Sequence, residues 1–223
     1  MEENGTAVSE SHYFDPSAWQ LVPGCTVHVA IDDQNDFLHP DGWYATHEID
    51  IEHMRRVIEP TKTLNEECRR RAVPIVWTRH GTRGLGDGGP FMAKRVLLRD
   101  GGLRTGTWGY EILDELDVRP EDWQVGKTRL SAFFQTNLEQ ILRALGAETV
   151  ILTGVLTNQC VGATCKDALF RDFKPIVVEE CVGTATPHLH DPAIEMIRVG
   201  WGQVNTLEQM LAELRRFPPA GDD

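Results

Sequence analysis

Positive charge is in short supply: 22 lysines and arginines face 34 aspartates and glutamates over 223 residues, a net charge of -12. Such a surface repels phosphate backbones and anionic headgroups, so the electrostatic footprint of a nucleic-acid or membrane-surface protein is missing. No apolar run approaches the ~20 residues that cross a bilayer. Residues 1 to 24 lack the apolar core of a secretory leader and carry Glu2, Glu3, Glu10 and Asp15 instead. Cysteine is sparse too: the five residues Cys25, Cys68, Cys160, Cys165 and Cys181 are odd in number and show no CxxC spacing. That argues against a disulfide framework and a structural zinc site, and for thiols kept reduced in the cytoplasm.

What is present is alternation. Short β-branched runs at 26–31, 74–78, 123–125, 149–152, 175–178 and 202–204 are separated by stretches of helical period. The helices are expected at about 51–72, 110–116, 136–145, 158–172, 191–199 and 206–216, the pattern of βαβ units on a parallel sheet. One domain over residues 24–216 is expected, with an extension at 1–23 and a frayed tail at 217–223. Between Arg79 and Gly109 periodicity fades and glycine is dense. The run Gly84-x-Gly86-x-Gly88-Gly89 follows no strand directly and opens no clear helix. It therefore fails as a phosphate loop and reads as a long irregular cover.

Open parallel sheets bind ligands beyond the carboxyl ends of their strands, so chemistry is sought there. Asp32 and Asp33 follow the first strand, Arg79 and His80 the second, Lys127 the third, and the turn from Gly154 to Cys160 the fourth. A thiol in the first turn of a helix feels unpaired N–H groups that favour thiolate, and an ammonium beside it lowers its pKa further. A carboxylate next to a thiol can take its proton and return it to a leaving amine. Taken singly, Cys160 is most simply a core cysteine, Lys127 a solvated loop lysine and Asp32 a turn or cap residue. Three reactive groups at three ends of one sheet make those independent explanations poor ones.

These segments resemble the isochorismatase-like cysteine hydrolase family. Ile31-Asp32-Asp33-Gln34-Asn35-Asp36-Phe37 is similar to its I-D-x-Q-N-D-F, Lys127-Thr128-Arg129-Leu130-Ser131-Ala132-Phe133 to its K-x-R-Y-S-A-F, and Gly154-Val155-Leu156-Thr157-Asn158-Gln159-Cys160-Val161 to its G-V-x-T-N-x-C-V. The resemblance spans about residues 24–215. It implies an α/β fold: an open six-stranded parallel sheet with helices on both faces, a Rossmann-like three-layer sandwich. It also implies Asp32, Lys127 and Cys160 as a catalytic triad, and a non-proline cis peptide at Val155-Leu156 that aims the Leu156 and Cys160 N–H groups at an oxyanion. Homodimers or homotetramers are implied as well.

The presence of Cys160 argues for amide or ureide hydrolysis rather than vinyl-ether chemistry. Looser similarity at 50–64 and 106–116 points toward biuret hydrolase and ureidoacrylate amidohydrolase. The alternative is a nicotinamidase-type carboxamidase, but that branch carries D-x-H where this chain has Thr78-Arg79-His80; a catalytically silent, ligand-binding member is the other. No metal and no cofactor are expected, His188 and His190 being read as loop or capping residues. The partner is expected to be a small amide or ureide, contacted by Gln34, Phe37, Tyr44, Arg79, Trp108, Phe133 and Gln203. Arg79 or Arg104 is the expected clamp for an acidic substrate end.

Overall fold

The computed structural model describes residues 15 and 17–221; most of the expected extension, and the last two residues of the tail, lie outside this range. The strands are β1 (Thr26–Ile31), β2 (Ile75–His80), β3 (Trp123–Lys127), β4 (Thr149–Val155), β5 (Lys174–Gly183) and β6 (Gln203–Asn205). All pair in parallel in the order β3-β2-β1-β4-β5-β6. The order reverses between β1 and β4, and it is at such a switch point that a crevice opens above the strand ends.

The α-helices are α1 (Asn35–Leu38), α2 (Trp43–Thr46), α3 (Glu52–Arg55), α4 (Ile58–Arg70), α5 (Leu85–Lys94), α6 (Val96–Arg99), α7 (Leu138–Ala144), α8 (Gly162–Leu169), α9 (His190–Gly200) and α10 (Leu207–Leu214). Because strand side chains alternate, each central strand feeds two cores. Ala30, Trp77, Ile151 and Ile176 pack toward α4 and α10 through Leu64, Cys68, Met210 and Leu214. Val29, Val76, Val150 and Val177 pack toward α7, α8 and α9 through Leu142, Cys165, Ala168 and Ile197. The expected α/β architecture with helices on both faces is therefore present.

Several boundaries differ from the sequence expectation. No helix spans 110–116; two short 3-10 turns, Trp108–Tyr110 and Asp114–Leu116, flank an extended stretch. Its backbone is taken by residues 33–35: Asn35 N donates to Glu111 O, Leu113 N to Asp33 O, and Gln34 bridges Ile112. The segment after β2 is not wholly irregular, since Gly84 caps α5 and the other glycines of the run lie inside it. That helix starts where Asp87 accepts from Arg83 N and Gly84 N, and kinks at Gly89, whose φ is 61°. The tail is not frayed through its described length: Phe217 is buried, its carbonyl accepts from Arg71, and Ala220 N donates to Arg70 O. The domain also begins before residue 24, because Leu21 joins the core and donates its N–H to Glu213.

Candidate active site

Asp32 follows β1 with φ at 57°, a left-handed conformation that Asp tolerates better than most residues and that turns the chain at the strand end. Its Oδ1 accepts from the Thr78 hydroxyl at 2.7 Å, and its Oδ2 stands 2.6 Å from Lys127 Nζ. Lys127 is the last residue of β3, and its ammonium also donates to the Arg129 and Leu130 carbonyls at 3.0 Å each. These contacts aim the charge inward at the strand ends, and both side chains are fully buried.

Cys160 arrives from β4. Gly154, with φ at 100°, lets that strand pass so close to β1 that a Cβ there would collide with the Ile31 carbonyl. The Val155-Leu156 peptide is cis. A π-turn, Thr157–Val161, then leads into α8. The turn is held from outside: Thr157 Oγ1 bonds His190 Nδ1 at 3.0 Å, and Asn158 Oδ1 accepts from Thr184 at 2.7 Å. Among the described residues the Leu156 N–H, one residue before the turn, donates to no backbone carbonyl, which leaves it for a ligand oxygen. The fold thus brings Asp32, Lys127 and Cys160 together, and Cys160 is only 2% exposed.

The electrostatics correct one expectation. Burial pushes the Cys160 thiol up to about 12, and the nearby Asp32 carboxylate adds to that while Lys127 opposes it. The direction is opposite to the one expected from a helix end and an ammonium, and it favours the protonated sulfur. Burial pulls the Lys127 ammonium down, but Asp32 and Cys160 outweigh it and leave it above its ordinary value, firmly charged. Burial, with help from Lys127 and Arg129, holds the His80 imidazole well below its ordinary value and so neutral.

His80 is the site residue that sequence reasoning did not assign. It closes β2, its Nδ1 is 4.0 Å from Cys160 Sγ, and its Nε2 has no protein partner. The signal was available, since it is the same strand-end position that marked Asp32 and Lys127. Asp32, His80 and Cys160 gather donor atoms within 4.8 Å of one another. The Lys127 ammonium paired with Asp32 opposes a second cation there.

The expected substrate contacts divide. Tyr44 is buried, packs against Phe37 at 4.8 Å and shares an electrostatic environment with Cys160 and Asp32. Gln34 does not face a ligand: its amide donates to the His80 and Tyr110 carbonyls and accepts from His80 N, clamping the end of β2. Phe133 is core, stacked on Phe173 at 5.9 Å under Arg171. Gln203 lies on edge strand β6, bonded to both backbone groups of Trp19 and to Asn205. Trp108 is exposed, edge-on to His39, with its carbonyl held by Asn35. Arg79 is ion-paired with Glu111 and lies over Tyr110. Arg104 donates to the Leu98 and Gly102 carbonyls and braces the cover segment. The expected arginine clamp therefore belongs to neither.

The chain has known relatives. The isochorismatase domain matches residues 26–209. Ureidoacrylate amidohydrolase RutB of Methylobacterium radiotolerans is 29% identical over 93% of this chain and 87% of its own length. Among solved structures, a cysteine hydrolase from Pseudomonas syringae pv. phaseolicola superposes with a TM-score of 0.81 at 22% identity, covering 89% of this chain and 96% of its own. N-carbamoylsarcosine amidase from Thermoplasma acidophilum gives 0.68 at 27% identity, covering 82% and 97%.

Proposed function

The chain belongs to the isochorismatase-domain family of hydrolases, and on that premise we propose that it is a cysteine-dependent amidohydrolase cleaving the C–N bond of a small ureide or linear amide. The observation that carries this reading is the convergence of a buried thiol and a buried Lys–Asp ion pair at one switch point, beside the unpaired Leu156 N–H. The similarity to the ureidoacrylate and N-carbamoylsarcosine enzymes supports the ureide class.

The chemistry follows from the protonation states. Asp32 takes the Cys160 proton as Sγ attacks the carbonyl carbon, so the thiolate need form only in the transition state. The oxyanion meets the Leu156 and Cys160 N–H groups. On collapse the C–N bond breaks, Asp32 returns the proton to the departing nitrogen, and ammonia or an amine leaves. Water then loses a proton to Asp32 and attacks the thioester; the C–S bond breaks and Sγ recovers that proton. Lys127 stays charged throughout and offsets the negative charge of the site.

The five thiols are free, which supports a reducing compartment such as the cytoplasm, and no described helix is long and apolar enough to cross a membrane. Exposed Phe170, Leu189, Met196 and Val199 along and beside α8 and α9 support a homo-oligomer, tested by light scattering after gel filtration. The activity is tested by ammonia release from biuret, ureidoacrylate, maleamate and nicotinamide. Turnover of a ureide or linear amide abolished in Cys160→Ala is expected, whereas no release from any of them refutes the reading and release from nicotinamide alone favours the carboxamidase.

A further inference from the structure

A closed circuit of side chains starts and ends at Cys160. From Sγ it runs 4.0 Å to the His80 ring, 5.9 Å between the rings of His80 and Phe91, and 5.0 Å from the Phe91 ring to the Arg95 guanidinium. Arg95 Nη2 then donates at 2.8 Å to Oε1 of Gln159, the residue beside the nucleophile. Tyr44 lies within this neighbourhood, since its phenol feels both Arg95 and Cys160. One end of the circuit carries the nucleophile, the walls are aromatic, and the far end carries a cation.

Among the described residues no carboxylate lies within ion-pair distance of Arg95, whereas Lys127 is paired with Asp32 and Arg79 with Glu111. Its recorded polar partner is a neutral amide oxygen, leaving most of its five donors for something else. It sits at the junction of α5 and α6, in the segment that covers the site, only partly exposed. A guanidinium in such a place presents a planar fork matched to a carboxylate.

We propose that Arg95 is the specificity-determining residue of this site, receiving a carboxylate at the end of the substrate remote from the scissile amide. The substrate class is then a short amide or ureide with one anionic end, drawn in by Arg95 as the carbonyl meets Cys160. This rests on the amidohydrolase reading and narrows it. Gln159 holds the guanidinium in place until the carboxylate takes over one arm of the fork. Aromatic Phe91 and Tyr44 flank the planar middle of the ligand.

The test uses matched pairs: maleamate with its neutral diamide, and ureidoacrylate with biuret. Ammonia release gives kcat/KM for each in the unaltered enzyme, in Arg95→Met and in Arg95→Lys. The unaltered enzyme is expected to favour the anionic member. In Arg95→Met that preference should fall about 100-fold, mainly through KM, and Arg95→Lys should restore part of it. A preference unchanged in Arg95→Met, or an unaltered enzyme that turns over only the neutral members, overturns the clamp and leaves the amidohydrolase reading standing. Release from none of the four, by contrast, overturns that underlying reading and the clamp with it.

Discussion

Lys127 Nζ and Asp32 Oδ2 stand 2.6 Å apart with neither side chain exposed to solvent, joining the ends of β3 and β1 across the intervening β2. A buried ion pair adds modest net stability when intact, but removing one partner strands the other charge. Lys127→Met should therefore destabilise the fold by about 3 to 5 kcal/mol. The double variant with Asp32→Asn should lose less than the sum of the singles, by about 1 to 3 kcal/mol. Chemical denaturation of all four proteins measures the coupling; strict additivity would show the pair to be independent.

Cys160→Ala should fold normally, because it trades a buried thiol for a small apolar side chain. It should also lose amide turnover by three or more orders of magnitude, as members of a catalytic unit do. Thermal melting and single-turnover ammonia release check the two halves separately.

With the thiol held near 12, alkylation of Cys160 by iodoacetamide should be slow at neutral pH. It should rise about tenfold per pH unit between pH 7 and 9, following the thiolate fraction. Mass spectrometry of the labelled peptide gives the rate, and a fast rate independent of pH over that range would show a thiolate at rest.

His80 faces the sulfur as a neutral imidazole, so it can position a ligand but does not change charge near neutrality. His80→Ala should lower kcat/KM by about 10- to 100-fold while leaving the shape of the profile between pH 6 and 8 unaltered. Loss of an inflection in that window would identify His80 as a titrating acid or base.

Asp33 is fully buried and neither carboxyl oxygen has a hydrogen-bond partner. Burial first, and then the neighbouring Asp32 charge, raise it well above its ordinary value, and its charge is felt in turn by the Cys181 thiol. Below about pH 3.9 the carboxyl is protonated in both folded and unfolded chains, so it costs nothing. As pH climbs above that value the unfolded chain ionises and the folded one does not, and stability falls. Asp33→Asn should accordingly gain more than about 1 kcal/mol at pH 7.5 and little at pH 4. Melting curves at the two pH values decide it, an equal effect at both arguing against a titrating Asp33.

The sequence by itself determined the alternating α/β order and the strand ends at which reactive groups emerge, because strand periodicity and turn chemistry are local. Asp32, Lys127 and Cys160 were legible for that reason, Asp32 and Cys160 following apolar runs and Lys127 a short strand signal. Only the tertiary structure decided what each polar side chain near those ends faces. Gln34 stands three residues past Ile31 yet clamps the backbone of β2, while Arg95, in a segment with no clear period, reaches Gln159. The protonation of Cys160 was likewise out of reach of local reasoning. A helix end and a lysine predict a thiolate, but desolvation depends on how many groups from distant segments close over the sulfur, and here that closure outweighs both.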